Sequence, residues 1–414
     1  MRKIYSSVDI GSSYIKIVVL EELYNKFNVL AAINYPSSGI KDGIIIDEKE
    51  VIFSLKKAFS EINKSLGVKI DKVITSVPIN GANYKITEGY TTITSSDNLI
   101  TSEDILNSLQ ASIYNQIPEK EELVTVMPIK YIIDDKAEVK NPRGVHAEKL
   151  SVISMMITAP KINIYRQVDA LSKAGLEVVD ILFNSIGDYY TFKEDKFDDE
   201  TCAVINVGTD KTEVSVFNKG IISASSLIDM GSNLIEQDIS YVYNISKEKA
   251  IKLKNMFITL DKDYASDTEI YETKDNSNIK IKINQYEVSN IAANKLREIL
   301  EKAKKELNYL TKSEIRYIII TGGIANVPGF SEICNEVFNE KAVTKNIDVI
   351  GIRNNAYSSS YGMIMYFVDK LKLRGREYTM FNEDKEYKLV EERKNDNGFS
   401  FSKFFSSFFE NKED

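Results

Sequence analysis

Histidine is nearly absent from this chain of 414 residues, in which His146 is the only one. Ser-His-Asp triads and hydrolases with a histidine general base depend on that side chain, and the usual zinc sites combine several histidine or cysteine ligands. The scarcity of histidine therefore excludes these three kinds of site from the candidates.

Cysteine is also scarce, and long apolar segments are lacking. The two cysteines, Cys202 and Cys334, stand in apolar surroundings typical of strands or helices, which predicts buried free thiols in a reducing cytoplasm. No apolar segment is long enough to span a bilayer. Asp9 interrupts the short apolar run after Arg2, so we expect no signal peptide and only peripheral membrane contact.

An excess of positive charge is missing as well, because the formal net charge is −8 at pH 7. Binding of nucleic acid without regard to sequence needs a basic surface, so no nucleic-acid partner is expected. The contents of 43% apolar and 28% charged residues are those of an ordinary globular protein. A chain of this length has room for two or more domains.

The first candidate site lies near the start of the chain. Residues 6–20 predict a strand ending at Asp9, a tight turn and a second strand from Tyr14. Hydroxyls and backbone N–H groups in such a turn suit phosphate oxygens, a lysine adds charge, and a carboxylate holds a metal ion through water. The candidate residues are Asp9, Gly11, Ser12, Ser13 and Lys16, with Asp9 as the metal-binding residue. An ordinary hairpin turn is the alternative.

A second strand, glycine turn and strand occupy residues 201–217. An internal repeat of a phosphate-type hairpin predicts two similar lobes around one cleft. The candidate phosphate-binding residues of this repeat are Gly208, Lys211 and Thr212.

Residues 317–330 predict a buried strand, a double-glycine turn and the start of a helix. Gly322 and Gly323 would let the backbone approach a planar ligand such as a nucleoside, with Ile324 packing nearby. A plain turn between a strand and a helix is the alternative for this motif taken alone.

The rest of the chain follows a regular pattern, with exceptions at two polar segments. Apolar periodicity predicts helices over residues 48–66, 102–115, 161–175, 233–243, 246–256, 287–309 and 355–372, and strands over 27–34, 68–78, 90–94, 123–133, 150–159, 176–183 and 278–283. Asp47 and Gly67 bound the first helix, and Ser102 is the expected cap of the second. We expect a mobile loop over 261–277 and a charged linker over 375–397.

Phenylalanines dominate residues 398–414. As a helix, this segment places most of them on one face, opposite serines. The candidate membrane-binding residues are Phe399, Phe401, Lys403, Phe404, Phe405, Phe408 and Phe409. Because basic residues are sparse, hydrophobic insertion should outweigh attraction to anionic lipid. A helix docked on its own domain or on another protein is the alternative.

Several motifs together resemble the FtsA family of bacterial actin-like division proteins. The matching stretches are 9–13 for the first phosphate motif, 43–47, 128–134 and 141–144 around and within an inserted subdomain, 231–239 and 250–254 at a subdomain junction, 321–329 for adenosine, and the phenylalanine tail. The resemblance covers nearly the whole chain. It adds Gly231, Ser232 and Lys254 to the expected nucleoside-binding residues.

This resemblance implies an α/β actin-like (ribonuclease H-like) fold of two lobes with an inserted α+β subdomain in the first lobe. The implied divisions are IA at 1–80 and 161–199, IC at 81–160, IIA at 200–231 and 311–352, IIB at 232–310, a closing helix of IA at 353–374, the linker at 375–397 and the tail at 398–414. It also implies ATP with Mg²⁺, self-association into filaments, and attachment to the cytoplasmic face of the membrane at midcell. The implied partners are the tubulin-like FtsZ ring, contacted through IIB, and later division proteins, contacted through IC.

The chain departs from the family pattern at three places. Asn206 replaces an aspartate of the second phosphate motif, Thr209 and Asp210 replace two of its three glycines, and Asp210 adds negative charge there. Ile251 replaces a glutamate that can meet the ribose, and Ser232 replaces the second residue of a double glycine. An amide cannot act as an anionic metal ligand or activate water. We therefore expect a nucleotide-binding scaffold with slow hydrolysis at most.

Three other functions remain open at this point. A true ATPase or sugar kinase of the same superfamily is opposed by Asn206. An assembly platform similar to the pilus protein PilM lacks a C-terminal amphipathic tail. A plasmid-partitioning or cytoskeletal actin does not account for the inserted subdomain.

Overall fold

The computed structural model describes residues 2–261 and 264–381. The strands in this part of the chain are β1 (Lys3–Ile10), β2 (Tyr14–Leu23), β3 (Lys26–Pro36), β4 (Ile40–Lys41), β5 (Ile44–Ile45), β6 (Lys72–Ser76), β7 (Asn83–Thr92), β8 (Glu121–Ile133), β9 (Ala137–Val139), β10 (Lys149–Pro160), β11 (Glu177–Leu182), β12 (Thr201–Val207), β13 (Thr212–Asn218), β14 (Ile221–Ile228), β15 (Ile270–Lys274), β16 (Lys280–Asn284), β17 (Tyr317–Thr321) and β18 (Ala342–Val343). The α-helices are α1 (Glu48–Leu66), α2 (Ser102–Ile113), α3 (Lys161–Lys173), α4 (Asn184–Phe192), α5 (Asn233–Tyr243), α6 (Lys247–Met256), α7 (Gln285–Leu310), α8 (Phe330–Phe338) and α9 (Ser358–Leu373).

Two five-stranded sheets with the same topology form the two lobes. The first has the order β3-β2-β1-β6-β11 and the second the order β14-β13-β12-β17-β18. In each, three strands form an antiparallel meander, and two further strands continue in parallel. This repetition is what the two similar hairpins in the sequence predicted.

Helices α4 and α9 pack closely on each other, and each also packs against sheet strands. Helix α9 lies against β1 and β6, whereas α4 also reaches β12 and β17. Gly187 on α4 and Gly362 on α9 meet at this crossing, and a Cβ atom on Gly362 would overlap the carbonyl oxygen of Gly187. The absence of both side chains lets the helix backbones approach, which brings the two sheets to one cleft.

A separate antiparallel sheet, with the order β7-β10-β8-β9, forms the inserted subdomain together with α2. Its own core includes Ile105, Leu109 and Leu150. The cap of α2 differs from the expected one. Thr101, not Ser102, is the cap, because its extended backbone lets its hydroxyl accept the N–H of Asp104 while the Asp104 carboxylate accepts the N–H of Thr101.

Helix α1 has the predicted limits. The Asp47 side chain accepts the N–H groups of Lys49 and Glu50, and Gly67 ends the helix in the left-handed conformation with φ of 71°. All of the determinants of this helix are local, which explains the agreement.

Two polar segments are more ordered than the sequence predicted. The expected loop over 261–277 contains β15, which pairs with β16. The start of the expected linker packs on the first lobe, since the N–H of Met380 donates to the carbonyl of Ile4 at 2.9 Å and the Met380 side chain is buried. The sequence also gave no assignment for α4 and β14.

The phenylalanine segment at 398–414 lies outside the described residues, as does the linker beyond Phe381. Within the described ranges, no helix is both long enough and apolar enough to cross a bilayer.

Candidate functional site

A cleft of about 710 Å³ lies where the ends of the two sheets face each other. Its walls are the turn between β1 and β2, the turn between β12 and β13, helices α5 and α6, and the turn after β17. Twelve of the residues predicted from the sequence line it, namely Asp9, Gly11, Ser12, Ser13, Lys16, Gly208, Lys211, Ser232, Lys254, Gly322, Gly323 and Ile324. The structure thus brings together residues that are more than 300 positions apart in the chain.

The carboxylate of Asp9 is held in place at the first hairpin. Lys16 Nζ donates to Asp9 Oδ2 at 2.8 Å, while Ser76 Oγ and Asn184 Nδ2 donate to Asp9 Oδ1 at 3.1 and 3.2 Å. Asp9 is nearly buried, so these donors stabilise its charge. An ammonium group has three N–H donors, so Lys16, which lines the cleft, has donors beyond the one that it gives to Asp9.

Gly11 allows Lys16 to lie across the turn. The Gly11 N–H donates to the carbonyl of Tyr14 at 3.0 Å, and a Cβ atom at Gly11 would stand 2.7 Å from Lys16 Nζ. Any side chain at Gly11 would therefore push the lysine away from Asp9. Ser12 Oγ also accepts the N–H of Gly43 at 3.3 Å.

The second hairpin is built differently. The carbonyl oxygen of Gly208 accepts a hydrogen bond of 2.9 Å from the N–H of Ser232. Lys211 forms an ion pair of 2.9 Å with the exposed Asp229. Asp210 accepts the N–H of Asp42 at 3.1 Å and Asn233 Nδ2 at 3.0 Å, so its charge links loops of both lobes. The negative charge that the sequence left unexplained at residue 210 thus has a structural role.

Two residues predicted to bind the nucleotide do not reach the wall of the cleft. Thr212 is fully buried, and its hydroxyl donates to the carbonyl of Met230 at 2.8 Å. Gly231 packs against the backbone of Thr209 and Asp210, and its missing side chain makes room for this turn between β12 and β13. Both residues therefore support the conformation of the second hairpin without lining the cleft.

The turn after β17 has the open backbone that a planar ligand needs. Gly322 has a φ of 115°, and a Cβ atom there would overlap the carbonyl of Val207. At Gly323, in contrast, a Cβ atom would meet nothing within 4 Å. The backbone of Gly323 therefore borders open cleft space, beside the apolar side chain of Ile324.

Comparison with known proteins decides the family. The family model of the cell division protein FtsA matches residues 203–362, and the model of the SHS2 domain inserted in FtsA matches residues 81–158. The FtsA protein of Bacillus subtilis is 29% identical over 378 residues, which cover 90% of this chain and 86% of that protein. The FtsA protein of Enterococcus hirae is 25% identical, with 87% and 82% covered.

The chain belongs to the FtsA family. This membership confirms the predicted resemblance and gives the chain an actin-like role in cell division.

Solved structures confirm the actin-like fold of this FtsA-family chain. MreB5 of Spiroplasma citri bound to ADP superimposes with a TM-score of 0.56 at 15% identity, covering 90% of this chain and 99% of that one. The PilM–PilN type IV pilus biogenesis complex gives a TM-score of 0.57 at 13% identity, covering 88% and 98%. At these identities, the likeness establishes the fold alone.

Directly behind the lining of the cleft in this FtsA-family protein lies an acid that was not predicted from the sequence. Asp188 on α4 is fully buried, and it accepts Asn206 Nδ2 on one oxygen and the hydroxyls of Ser358 and Ser359 on the other, at 2.6, 2.6 and 2.8 Å. Burial raises the pKa of Asp188 to about 6, against the effect of these hydrogen bonds. The only hint of this buried acid in the sequence is that Asp188 stands between the apolar residues Ile186 and Tyr189.

Glu213 on β13 is a second missed acid, and it lines the cleft. Burial raises its pKa to about 7, with the hydrogen bonds from Ser185 opposing the shift and the charges of Asp188 and Asp9 adding to it. The carboxyl groups of Asp9, Asp188 and Glu213 therefore interact electrostatically, and the amides of Asn184 and Asn206 line the cleft beside them.

Magnesium and a nucleoside triphosphate fit this donor set. In the described ranges, no three or more histidine, cysteine, aspartate or glutamate side chains are placed so that they could hold a metal ion together. Mg²⁺ commonly uses one or two carboxylates, several waters and the phosphates of its substrate, so Asp9 suffices on the protein side. The two lysines, Lys16 and Lys211, supply positive charge from opposite hairpins.

Proposed function

We propose that this chain is a nucleotide-binding scaffold that attaches the FtsZ ring to the inner face of the cytoplasmic membrane at midcell and recruits later division proteins. The main support for this proposal is that one chain contains both an actin-like fold of the FtsA family and the phenylalanine-rich segment 398–414. ATP binding and self-association into filaments would modulate the attachment.

The nucleotide part of the proposal rests on the cleft. Lys16 and Lys211 would bind the phosphates, Asp9 would hold Mg²⁺ through water, and Gly322, Gly323 and Ile324 would border the nucleoside. Mg²⁺ would supply positive charge against the phosphates when it is bound. Because Asn206 cannot take a proton from water, we expect binding with slow hydrolysis at most.

The membrane part rests on the sequence of the tail. Burial of four or five phenylalanine side chains at a bilayer interface supplies roughly 5 to 10 kcal/mol before ordering costs are subtracted. An apolar patch of this kind without a target would promote aggregation. The FtsZ contact through subdomain IIB and the contacts of later division proteins through IC are carried over from the family.

Co-sedimentation of the full chain with liposomes tests the attachment. We expect the unchanged chain to sediment with vesicles and to bring FtsZ with it, and the Phe404→Asp/Phe405→Asp variant to stay in the supernatant. Ser406→Ala/Ser407→Ala is the matched control, since it alters the opposite face of the predicted helix. Equal sedimentation of the phenylalanine variant and the control would refute the membrane role of this segment.

Imaging tests the site of action. A fluorescent fusion of the full chain should form a band at midcell in dividing cells, and a fusion truncated after residue 397 should be diffuse. A midcell band that persists without residues 398–414 would show that another contact localises the protein.

A further inference from the structure

Glu236 on α5 is a buried carboxylate at the wall of the cleft. Only 4% of the residue is exposed, and its Oε1 accepts a hydrogen bond from Lys254 Nζ on α6. Both residues nevertheless line the cleft. A buried charge is retained only when it is paired, and the lysine provides that pairing.

The position of Lys254 shows which end of the cleft this carboxylate occupies. Ile251 precedes Lys254 by three residues on α6, so both side chains lie on one face of the helix, and Ile258 also lines the cleft. The remaining walls include the open backbone of Gly323 and the side chain of Ile324. This end therefore combines apolar side chains with the Glu236–Lys254 ion pair and with the polar side chains of Lys247 and Asn255.

The chemistry of this end suits a nucleoside. Apolar side chains and an open glycine backbone suit a base, whereas the lysines of the two hairpins suit phosphates. A sugar between them presents hydroxyl donors, and an ionised carboxylate is the acceptor that proteins use for ribose hydroxyls. Residue 251, where the family resemblance placed such a carboxylate, is an isoleucine here.

We propose that Glu236 binds the ribose hydroxyls of the nucleotide and that Lys254 holds its carboxylate in position. The carboxylate missing from α6 is thus supplied by the neighbouring helix α5. This inference rests on the proposed nucleotide binding, and it adds that the cleft selects ribonucleotides over 2′-deoxyribonucleotides.

The test compares the affinities of the full chain for ATP and 2′-deoxy-ATP in the presence of Mg²⁺, by calorimetry. A hydrogen bond to a charged acceptor predicts that ATP binds about tenfold more tightly. The Glu236→Gln variant should lose most of this preference through weaker ATP binding, with little change for 2′-deoxy-ATP. The glutamine oxygen can still accept from Lys254, so the variant keeps the contact between the helices.

Two further variants keep the result interpretable. Glu248→Gln removes an exposed charge from α6 outside the cleft and should leave the preference unchanged. Glu236→Gln/Ile251→Glu places a carboxylate three residues before Lys254 and should restore part of the preference. Thermal unfolding of each variant establishes that it is folded.

The outcomes separate the two proposals. If ATP binds but the Glu236→Gln variant keeps the unchanged chain's preference, or the unchanged chain has none, Glu236 is a structural partner of Lys254 and the inference is refuted. If the unchanged chain binds neither nucleotide, the proposed nucleotide function fails, and the inference fails with it.

Discussion

Asn206 Nδ2 on β12 donates a hydrogen bond of 2.6 Å to Asp188 Oδ2 on α4. The other oxygen of Asp188 accepts the hydroxyls of Ser358 and Ser359 at the start of α9. The acid therefore lies on a helix behind the lining, while a neutral amide faces the cleft. This arrangement gives the amide of Asn206 a carboxylate as its hydrogen-bond acceptor.

Exchange of this amide and acid tests the pairing. Asn206→Asp places two carboxylates against each other, and we expect a loss on the order of 2 kcal/mol in the free energy of unfolding near neutral pH. The double variant Asp188→Asn/Asn206→Asp restores one amide and one carboxylate and should recover most of the loss. Urea denaturation measures both variants, and additive effects of the two substitutions would contradict the pairing.

Glu213 predicts a pH dependence of stability. Its pKa is about 7 in the folded protein and 4.5 for an ordinary glutamate, so between these pH values the folded state binds a proton that the unfolded state has released. Stability from this group is therefore present below about pH 4.5 and falls as the pH rises to about 7.

The Glu213→Gln variant should remove this fall. One pKa unit corresponds to about 1.4 kcal/mol. The free energy of unfolding of the unchanged chain should therefore fall, relative to that of the variant, by on the order of 2 kcal/mol as the pH rises from about 5 to about 8. Denaturant titrations over this range provide the measurement. Glu301→Gln, at an exposed site on α7, is the matched control and should follow the unchanged chain. A parallel pH profile for both variants would rule out a buried, protonated Glu213.

Substitution by alanine should affect different properties at the two glycines after β17, namely ATP affinity at Gly323 and stability at Gly322. Gly323→Ala adds a Cβ atom to open cleft space, so we expect unchanged stability and an ATP affinity reduced by about tenfold through steric exclusion. Gly322→Ala should instead lower stability, because its φ is 115° and its Cβ atom would overlap the Val207 carbonyl. Calorimetric binding and thermal unfolding separate the two effects, and undiminished ATP binding by Gly323→Ala would place the nucleoside elsewhere.

Gly362→Ala tests the contact between α4 and α9. Helix propensity alone predicts a gain of up to about 1 kcal/mol from alanine in a helix interior. The Cβ atom would, however, overlap the Gly187 carbonyl and approach Thr191 Oγ1 to 2.6 Å, so we expect a loss of about 2–3 kcal/mol. Urea denaturation measures the change in the free energy of unfolding. A loss shows that packing outweighs helix propensity, whereas a gain would show the reverse.

Agreement between sequence and structure depends on how far apart the determining residues lie. Helix α1 could be predicted to the residue because Asp47, its apolar stripe and Gly67 are neighbours in the chain. The cap of α2 was placed one residue late, since Thr101 and Ser102 carry the same chemistry and only the backbone conformation selects between them. The strand β15 was missed because its side chains are largely exposed and its pairing with β16 supplies the order.

The sequence by itself predicted two similar lobes, because the hairpin turn is a local signal that recurs in both halves, and its motifs implied the actin-like fold through their resemblance to the FtsA family. It also predicted twelve of the residues that line the cleft, since glycines and lysines in turns carry their chemistry with them. The tertiary structure alone decided the hydrogen-bond partners of Asp188 and Glu236. Asp188 meets Ser358 from 170 positions away, and Glu236 meets Lys254 across two helices. The charge of a buried carboxylate depends on which donors surround it, and those donors are gathered only when the chain folds.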